Sequence, residues 1–120
     1  MFFDTYALIE FLGGRPEFRR HAARGILSTR WNLAELLVLD FRDRGEEAAR
    51  KDFRRFLGAC TEVEDDDLWD AARFRDSQRH RRRKFSYPDP LGYTVARRLG
   101  LRFVTGDDAF RGLPGVLFQK

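Results

Sequence analysis

The side chains with the clearest capacity for chemistry in this sequence are carboxylates at predicted strand ends and helix starts. Four such acids lie far apart along the chain: Asp4, Glu35, Asp89 and Asp107. Carboxylates brought together repel one another unless a cation lies between them. Hard oxygen ligands favour Mg²⁺ or Mn²⁺ over zinc, and an ion held in this way can activate water for attack on a phosphodiester. The acids therefore predict a metal-dependent enzyme that cleaves phosphodiesters.

Two of the acids are placed by the ends of predicted strands. Asp4 ends the apolar segment 1–4, and Asp107 follows a strand predicted over residues 101–105. In open α/β sheets the functional site lies beyond the carboxyl ends of the strands, so both side chains are expected at one edge. The sequence leaves a structural explanation open for each, because Asp4 can cap the following helix and Asp107 can be a turn former.

The other two acids lie at or near helix starts. Glu35 is embedded in an apolar part of a helix predicted over 30–44, where a carboxylate is costly unless it is paired or metal-bound. We therefore favour a functional role, and a solvated position on the polar face of the helix is the alternative. Asn32 lies one turn earlier on the same face, and it either orients the site or is a neutral surface residue. Asp89 precedes Pro90, and this local sequence alone favours a helix cap with proline at the first helical position.

Apolar periodicity and helix breakers divide the chain into alternating strands and helices. The predicted strands cover residues 1–4, 25–29, 59–63, 101–105 and 115–118. The predicted helices cover residues 6–12, 16–23, 30–44, 46–57, 65–84 and 89–100. The alternation indicates a three-layer α/β/α fold with a mainly parallel central sheet of four to five strands. The sequence contains no repeat or linker, so we predict a single domain over residues 1–120.

The predicted helices carry apolar stripes that should face a core. For the helix over 30–44 and the one that follows it, the stripes are Leu33, Leu36, Leu37, Val38 and Phe41, then Phe53, Phe56 and Leu57. Trp31, Trp69 and the phenylalanines are expected in the core more often than as platforms for nucleotide bases.

The composition is that of a globular chain from a reducing compartment. Of its 120 residues 42% are hydrophobic, and the formal net charge of +4 favours a polyanionic partner, although only weakly. The single cysteine, Cys60, excludes an internal disulfide. The sequence has no apolar run near the ~20 residues that span a bilayer. We therefore expect a cytoplasmic protein without a membrane partner.

Four segments, in order along the chain, carry motifs built around the four acids. They contain a strand that ends on Asp, a helix that carries Glu, an Asp before an apolar helix, and a strand followed by Thr-Gly-Asp. The segments are residues 2–8, 32–36, 86–96 and 103–110, and together they resemble the PIN-domain family and in particular its VapC-like toxins. The resemblance covers nearly the whole chain and implies that the four acids bind Mg²⁺ or Mn²⁺ and cleave RNA. The sequence departs from the family pattern at Pro90, where alanine is common.

The same resemblance implies the surroundings of the site and the partners of the protein. The first strand would lie near the centre of the sheet. Thr105 would lie beside the metal site and hydrogen-bond an acid or water, although it can equally be a β-branched strand end. A VapC-like protein would be the toxin of a toxin–antitoxin pair, would form a homodimer, and would be inhibited by a small antitoxin in its active-site groove.

A basic run shortly before Asp89 can contribute to substrate binding. Its arginines are Arg79, Arg81, Arg82 and Arg83. A basic patch there can hold RNA phosphates against an acidic cleft. The alternative is a solvated helix end whose charge complements the helix dipole, and both explanations can hold together.

Other functions agree less well with the sequence. A phosphatase with an aspartyl nucleophile needs a second acid two residues after the first, and Tyr6 stands there. His21 and His80 form no obvious acid–base pair, which disfavours a metal-free ribonuclease. The remaining alternative is a catalytically silent PIN fold that binds RNA or a protein, but the presence of all four acids favours the enzyme.

Overall fold

Five short parallel strands form the centre of the fold in a computed structural model that describes residues 1–80 and 88–120, with 88 and 89 described by backbone alone. The strands are β1 (Phe2–Phe3), β2 (Ser28–Thr29), β3 (Cys60–Thr61), β4 (Phe103–Thr105) and β5 (Val116–Phe118). β4 pairs with β1 and β5, β2 pairs with β3, and a parallel bridge between Phe2 and Leu27 joins the two sets. The strand order is therefore β3-β2-β1-β4-β5, with the first strand central as the resemblance implied.

Six helices connect these strands in the described part of the chain. They are α1 (Thr5–Leu12), α2 (Pro16–Ala22), α3 (Arg30–Asp43), α4 (Glu46–Leu57), α5 (Asp65–Ser77) and α6 (Pro88–Arg98). Thr29 caps α3 with its hydroxyl, and Gly45 separates α3 from α4 at a φ of 94°, a conformation that favours glycine. Within residues 1–80 and 88–120 no helix has the length and apolar character needed to cross a membrane.

Two apolar cores, one on each face of the sheet, show that helices cover it on both sides. Phe3 and Val104 face a core completed by side chains of α1, α2, α3 and α4. Phe2 and Phe103 face a second core completed by α6 and the 3-10 turn Asp108–Phe110. Successive residues of a strand point to opposite faces, so β1 contributes one ring to each core. The predicted three-layer α/β/α fold with a mainly parallel sheet is confirmed.

Two helices differ from their predicted boundaries near the basic run. α5 ends at Ser77 rather than at residue 84, and residues 81–87 lie outside the described part of the chain. α6 begins at Pro88, so Asp89 lies within the first turn and does not precede the helix as a cap. Pro90 is then the third helical residue, where it removes no helical hydrogen bond because the first N–H groups of a helix have no partner within it.

The predicted core stripe of α3 is partly wrong. Leu33 and Leu36 are buried as predicted, but Val38 and Phe41 are 69% and 56% exposed, and Asp40 takes the buried position instead. Positions three and four residues apart lie on one face of a helix, which carries Leu33, Leu36 and Asp40 towards the core. The apolar positions therefore mark the helix correctly but overstate the width of its buried face.

Further apolar residues expected in the core are exposed as well. Trp31 is 49% and Trp69 67% exposed, which overturns their predicted burial. On α4, Phe56 is buried, whereas Phe53 and Leu57 remain partly accessible. These helices lie on the outside of the sheet, so one face is enough to cover the core.

Candidate active site

Asp4 occupies the junction between β1 and α1 and is 2% exposed. Its Oδ1 accepts a hydrogen bond from Ala7 N at 2.8 Å, and its Oδ2 accepts one from Thr105 Oγ1 at 2.5 Å. The first bond caps α1, so the capping role that the sequence left open is real. A carboxylate offers about four lone-pair sites, so capping leaves room for a further ligand.

Thr105 joins Asp4 to Asp107. The Thr105 hydroxyl donates to Asp4 and accepts a hydrogen bond from the Asp107 backbone N–H at 3.0 Å. Asp107 in turn accepts from Ala109 N at 2.9 Å and begins the 3-10 turn, so its turn-forming role is also real. One buried hydroxyl thus holds two acids at the carboxyl ends of the adjacent strands β1 and β4. Thr105 makes the kind of bond that the resemblance implied for it.

Gly106 leaves the space that Tyr6 occupies beside these acids. A Cβ on Gly106 would overlap Cε1 and Cζ of Tyr6 and would lie 2.8 Å from the carbonyl oxygen of Gln119. Packing therefore requires glycine in the turn between Thr105 and Asp107. The sequence did not identify Tyr6 as a site residue. The available signal was this glycine, since glycine within such a segment often marks a close approach.

Asn32 is fully buried and connects α3 to α1. Its Oδ1 accepts from Thr29 Oγ1 at 2.7 Å, and its Nδ2 donates to Thr5 Oγ1 at 3.2 Å. The alternative of a neutral surface residue is therefore wrong. Asn32 links the residue after Asp4 to the helix that carries Glu35. Thr5 and Thr29, which complete this network, were not identified from the sequence.

Glu35 lies on α3 one turn after Asn32 and is half-buried, which is less than its apolar neighbours suggested. Within residues 1–80 and 90–120 its carboxylate has no hydrogen-bond or ion-pair partner. A half-buried acid without a partner of its own is suited to binding a cation.

Asp89 lies in the first turn of α6, and its side chain is outside the described residues. The backbone of α6 approaches the other candidates at Gly92, one turn later. A Cβ there would lie 3.1 Å from Phe2 Cε1 and 3.3 Å from Asn32 Oδ1. The first turns of α6 therefore run beside β1 and the start of α3.

The donor atoms at this site are of the type that binds a hard divalent cation. Asp4, Glu35 and Asp107 offer carboxylate oxygens, the ligands that Mg²⁺ and Mn²⁺ prefer. Among the side chains that the structure describes, however, no group of three or more His, Cys, Asp or Glu residues is close enough to hold a metal. The acids with described side chains are therefore too few to form a metal site by themselves. The remaining predicted ligand is Asp89, whose side chain is not among those described.

The predicted phosphate-binding arginines fall mostly outside the described residues. Arg79 is exposed and lies 3.6 Å from Asp76 in an ion pair at the end of α5. Arg81, Arg82 and Arg83 belong to the segment that is not described.

Comparisons with known proteins extend the description of the fold. A family model, the PIN domain, matches residues 1–116. A toxin–antitoxin complex from Klebsiella pneumoniae contains a chain that is 20% identical with a TM-score of 0.74, over 97% of this chain and 94% of that one. No curated protein matches the sequence significantly.

Two further solved structures share the fold. VapC20 of Mycobacterium tuberculosis, described as a Sarcin-Ricin loop cleaving toxin, is 21% identical with a TM-score of 0.70, over 96% of this chain and 97% of that one. VapBC2 of Rickettsia felis, bound to a DNA fragment from its promoter, gives 15% identity and a TM-score of 0.75, over 98% and 96% of the two chains. At these identities the likeness concerns the fold alone.

Proposed function

Because this chain belongs to the PIN domain family, we propose that it is a metal-dependent endoribonuclease and the toxin of a toxin–antitoxin pair. The observation that carries the proposal is the Thr105 hydroxyl, which ties Asp4 to Asp107 at the ends of two central strands. Asp4 can cap α1 without a hydrogen bond from Thr105, which lies 101 residues away, so a site shared by Asp4 and Asp107 explains this bond better. The description of VapC20 as a Sarcin-Ricin loop cleaving toxin supports RNA as the substrate.

In this proposal the chain supplies four carboxylates and the groups that hold them. Asp4 and Asp107, fixed by Thr105, and Glu35 bind Mg²⁺ or Mn²⁺ together with Asp89. The bound ion would supply an activated water and stabilise the leaving oxygen. The amide of Asn32 holds the start of α3 against the start of α1, and this contact positions Glu35 relative to Asp4.

Cleavage of single-stranded RNA by the purified chain tests the proposal. We expect cutting in Mg²⁺ or Mn²⁺, intact RNA in EDTA, and a loss of roughly 100-fold or more for Asp4→Asn, because a ligand is removed. Asp70→Asn is the matched control, since it removes an exposed acid from α5 and should cleave normally. The proposed enzyme is wrong if the unmodified chain leaves every RNA intact in both metals.

A catalytically silent PIN fold that binds RNA or a protein is the second candidate. One observation favours it: the described acids do not by themselves form a group of metal-binding size. Asp89→Asn separates the two functions. A loss of cleavage as large as that of Asp4→Asn supports the enzyme and the fourth ligand. RNA binding without cleavage by the unmodified chain supports the silent fold.

The proposed protein partners are a small antitoxin and a second copy of the chain. Two structures of similar fold are toxin–antitoxin assemblies, which supports the first partner. Co-expression with the product of the adjacent open reading frame should yield a complex in which RNA cleavage is suppressed. Analytical ultracentrifugation tests the dimer, and a chain that remains monomeric at high concentration excludes it.

A further inference from the structure

Tyr6 lies beside the strand-end acids and has no part in the reaction proposed above. It follows Asp4 by two residues in the first turn of α1, and its ring lies against Gly106, the residue before Asp107. The ring also packs near Phe18, with the centroids 6.1 Å apart. These contacts hold the ring in place, so the group that Tyr6 can offer to a ligand is its hydroxyl.

The Tyr6 hydroxyl has no partner within residues 1–80 and 90–120. Tyr6 is half-buried, and its oxygen is not among the unpaired atoms in these ranges that are sealed from solvent. Tyr93 differs, because its hydroxyl donates to the Pro114 carbonyl oxygen at 2.6 Å. Most hydroxyls of partly buried tyrosines find a partner, so an unpaired one at the edge of a site is suited to a ligand.

Arg15 and Lys120 bring positive charge towards Tyr6, although acids pair with both. Arg15 is close enough to Tyr6 for an electrostatic interaction, and it donates to the Lys120 carbonyl oxygen at 3.1 Å. The Lys120 ammonium in turn reaches Asp108. Two glutamates compensate part of the charge of Arg15, so its attraction for an anion is weak and acts only at short range. A phosphate beside the Tyr6 hydroxyl would lie near these cations.

We propose that the Tyr6 hydroxyl donates a hydrogen bond to a phosphate of bound RNA next to the phosphodiester that is cleaved. This inference rests on the ribonuclease function proposed above. Phosphate oxygens accept hydrogen bonds strongly, and such contacts fix the position of the strand without reading its sequence. Tyr6 is therefore a substrate-positioning residue, in which a neutral donor brings the RNA backbone towards a cluster of acids.

The test uses Tyr6→Phe, which keeps the ring on Gly106 and removes only the hydroxyl. Affinity is measured in EDTA with a short, fluorescein-labelled, mixed-sequence single-stranded RNA, and cleavage of the same RNA is measured in Mn²⁺. We expect the dissociation constant and KM to rise roughly tenfold with little change in kcat, because one charge-assisted hydrogen bond is lost. Tyr93→Phe is the matched control and should lower Tm without weakening RNA binding.

The outcomes separate this inference from the function on which it rests. If the unmodified chain cuts RNA and Tyr6→Phe binds it equally well, the positioning role is wrong and the nuclease stands. A fall in kcat at unchanged affinity also overturns the role. If the unmodified chain neither binds nor cuts RNA, both proposals fail.

Discussion

At the scale of single residues, the Thr105 hydroxyl satisfies two buried groups at once. It is both the donor to the Asp4 carboxylate and the acceptor for the Asp107 N–H. Removing it leaves a carboxylate oxygen and a backbone N–H without this partner. Buried polar groups that lose their partners carry the full free-energy cost of desolvation, so this position should be sensitive to small changes.

We expect Thr105→Val to lower the free energy of unfolding by about 2 kcal/mol and to impair RNA cleavage. The side chains have nearly the same shape, so packing in β4 is preserved. Urea titration measures the stability. Thr105→Ser is the control, because it restores the hydroxyl and should recover cleavage. A valine variant as stable and active as the unmodified chain contradicts this role.

The sequence placed Asp4 and Asp107 at one edge of the sheet because Asp4 directly follows an apolar strand, Asp107 follows another after Gly106, and the carboxyl ends of parallel strands share an edge. It did not place Tyr6, since its contact with Gly106 joins segments 100 residues apart and depends on packing. Asn32 was left undecided for a similar reason. Thr29 is a local neighbour, three residues earlier, but Thr5 becomes a neighbour of Asn32 only after α1 and α3 have packed together.

At the scale of elements, α3 and α4 enclose a pair of acids. Asp40 and Asp52 are almost fully buried, and Arg44 lies 3.4 Å from the first and 2.9 Å from the second. Burial raises the pKa of Asp40 to about 6, and the hydrogen bond and repulsion from Asp52 act in the same direction. Within the described residues, Asp40 Oδ2 has no hydrogen-bond partner. A proton shared between Asp40 and Asp52 would give this oxygen a partner.

The stability of the protein should fall as pH rises through about 6. The ordinary pKa of this carboxyl is 3.8, so between the two values the folded chain binds more protons than the unfolded chain. Asp40→Asn keeps a donor and removes the charge. We expect it to raise the free energy of unfolding by about 1–3 kcal/mol above about pH 7, and to flatten the pH dependence.

Urea titrations over a series of pH values measure this effect. Asp43→Asn is the matched control on α3, because this exposed acid pairs with Arg42 at 2.8 Å and that pair lowers its pKa. It should leave the decline in stability through pH 6 in place. A loss of stability for Asp40→Asn at neutral pH contradicts the shared proton.

Helical periodicity located α3 but did not reveal which of its faces is buried. A polar residue in the buried stripe, Asp40, and apolar residues outside it make the pattern ambiguous. Asp52, which shares the buried position with Asp40, comes from α4, and this pairing is not visible in local sequence. The start of α6 was displaced by one residue, because a proline on either side of Asp89 fits the first turn.

At the scale of the whole molecule, the alternation of strands and helices was sufficient to predict the layers and the parallel sheet. It could not give the strand order, since alternation does not specify which strands are neighbours. The central position of β1 came from the family resemblance. The net charge of +4 is likewise a property of the whole chain, and under the proposed function it would attract RNA at long range.

We expect the affinity for RNA to fall roughly tenfold or more as salt rises from about 50 to 200 mM, because cations bound to the RNA are released on binding. Tyr6→Phe should bind RNA more weakly at every salt concentration. Its affinity should fall with salt at the same slope, since a neutral donor releases no counterion. Fluorescence anisotropy measures both. An affinity that does not change with salt contradicts binding through phosphates.

The link between Asp4 and Thr105 also affects when the candidate site can form during protein synthesis. Asp4 is made well before Thr105, which follows it by 101 residues. Until β4 exists, β1 lacks a neighbour on one side and Asp4 lacks the hydroxyl that holds it. A growing chain therefore cannot complete the site before β4 has been made, and under the proposed function the translation machinery around it would not meet an active nuclease until then.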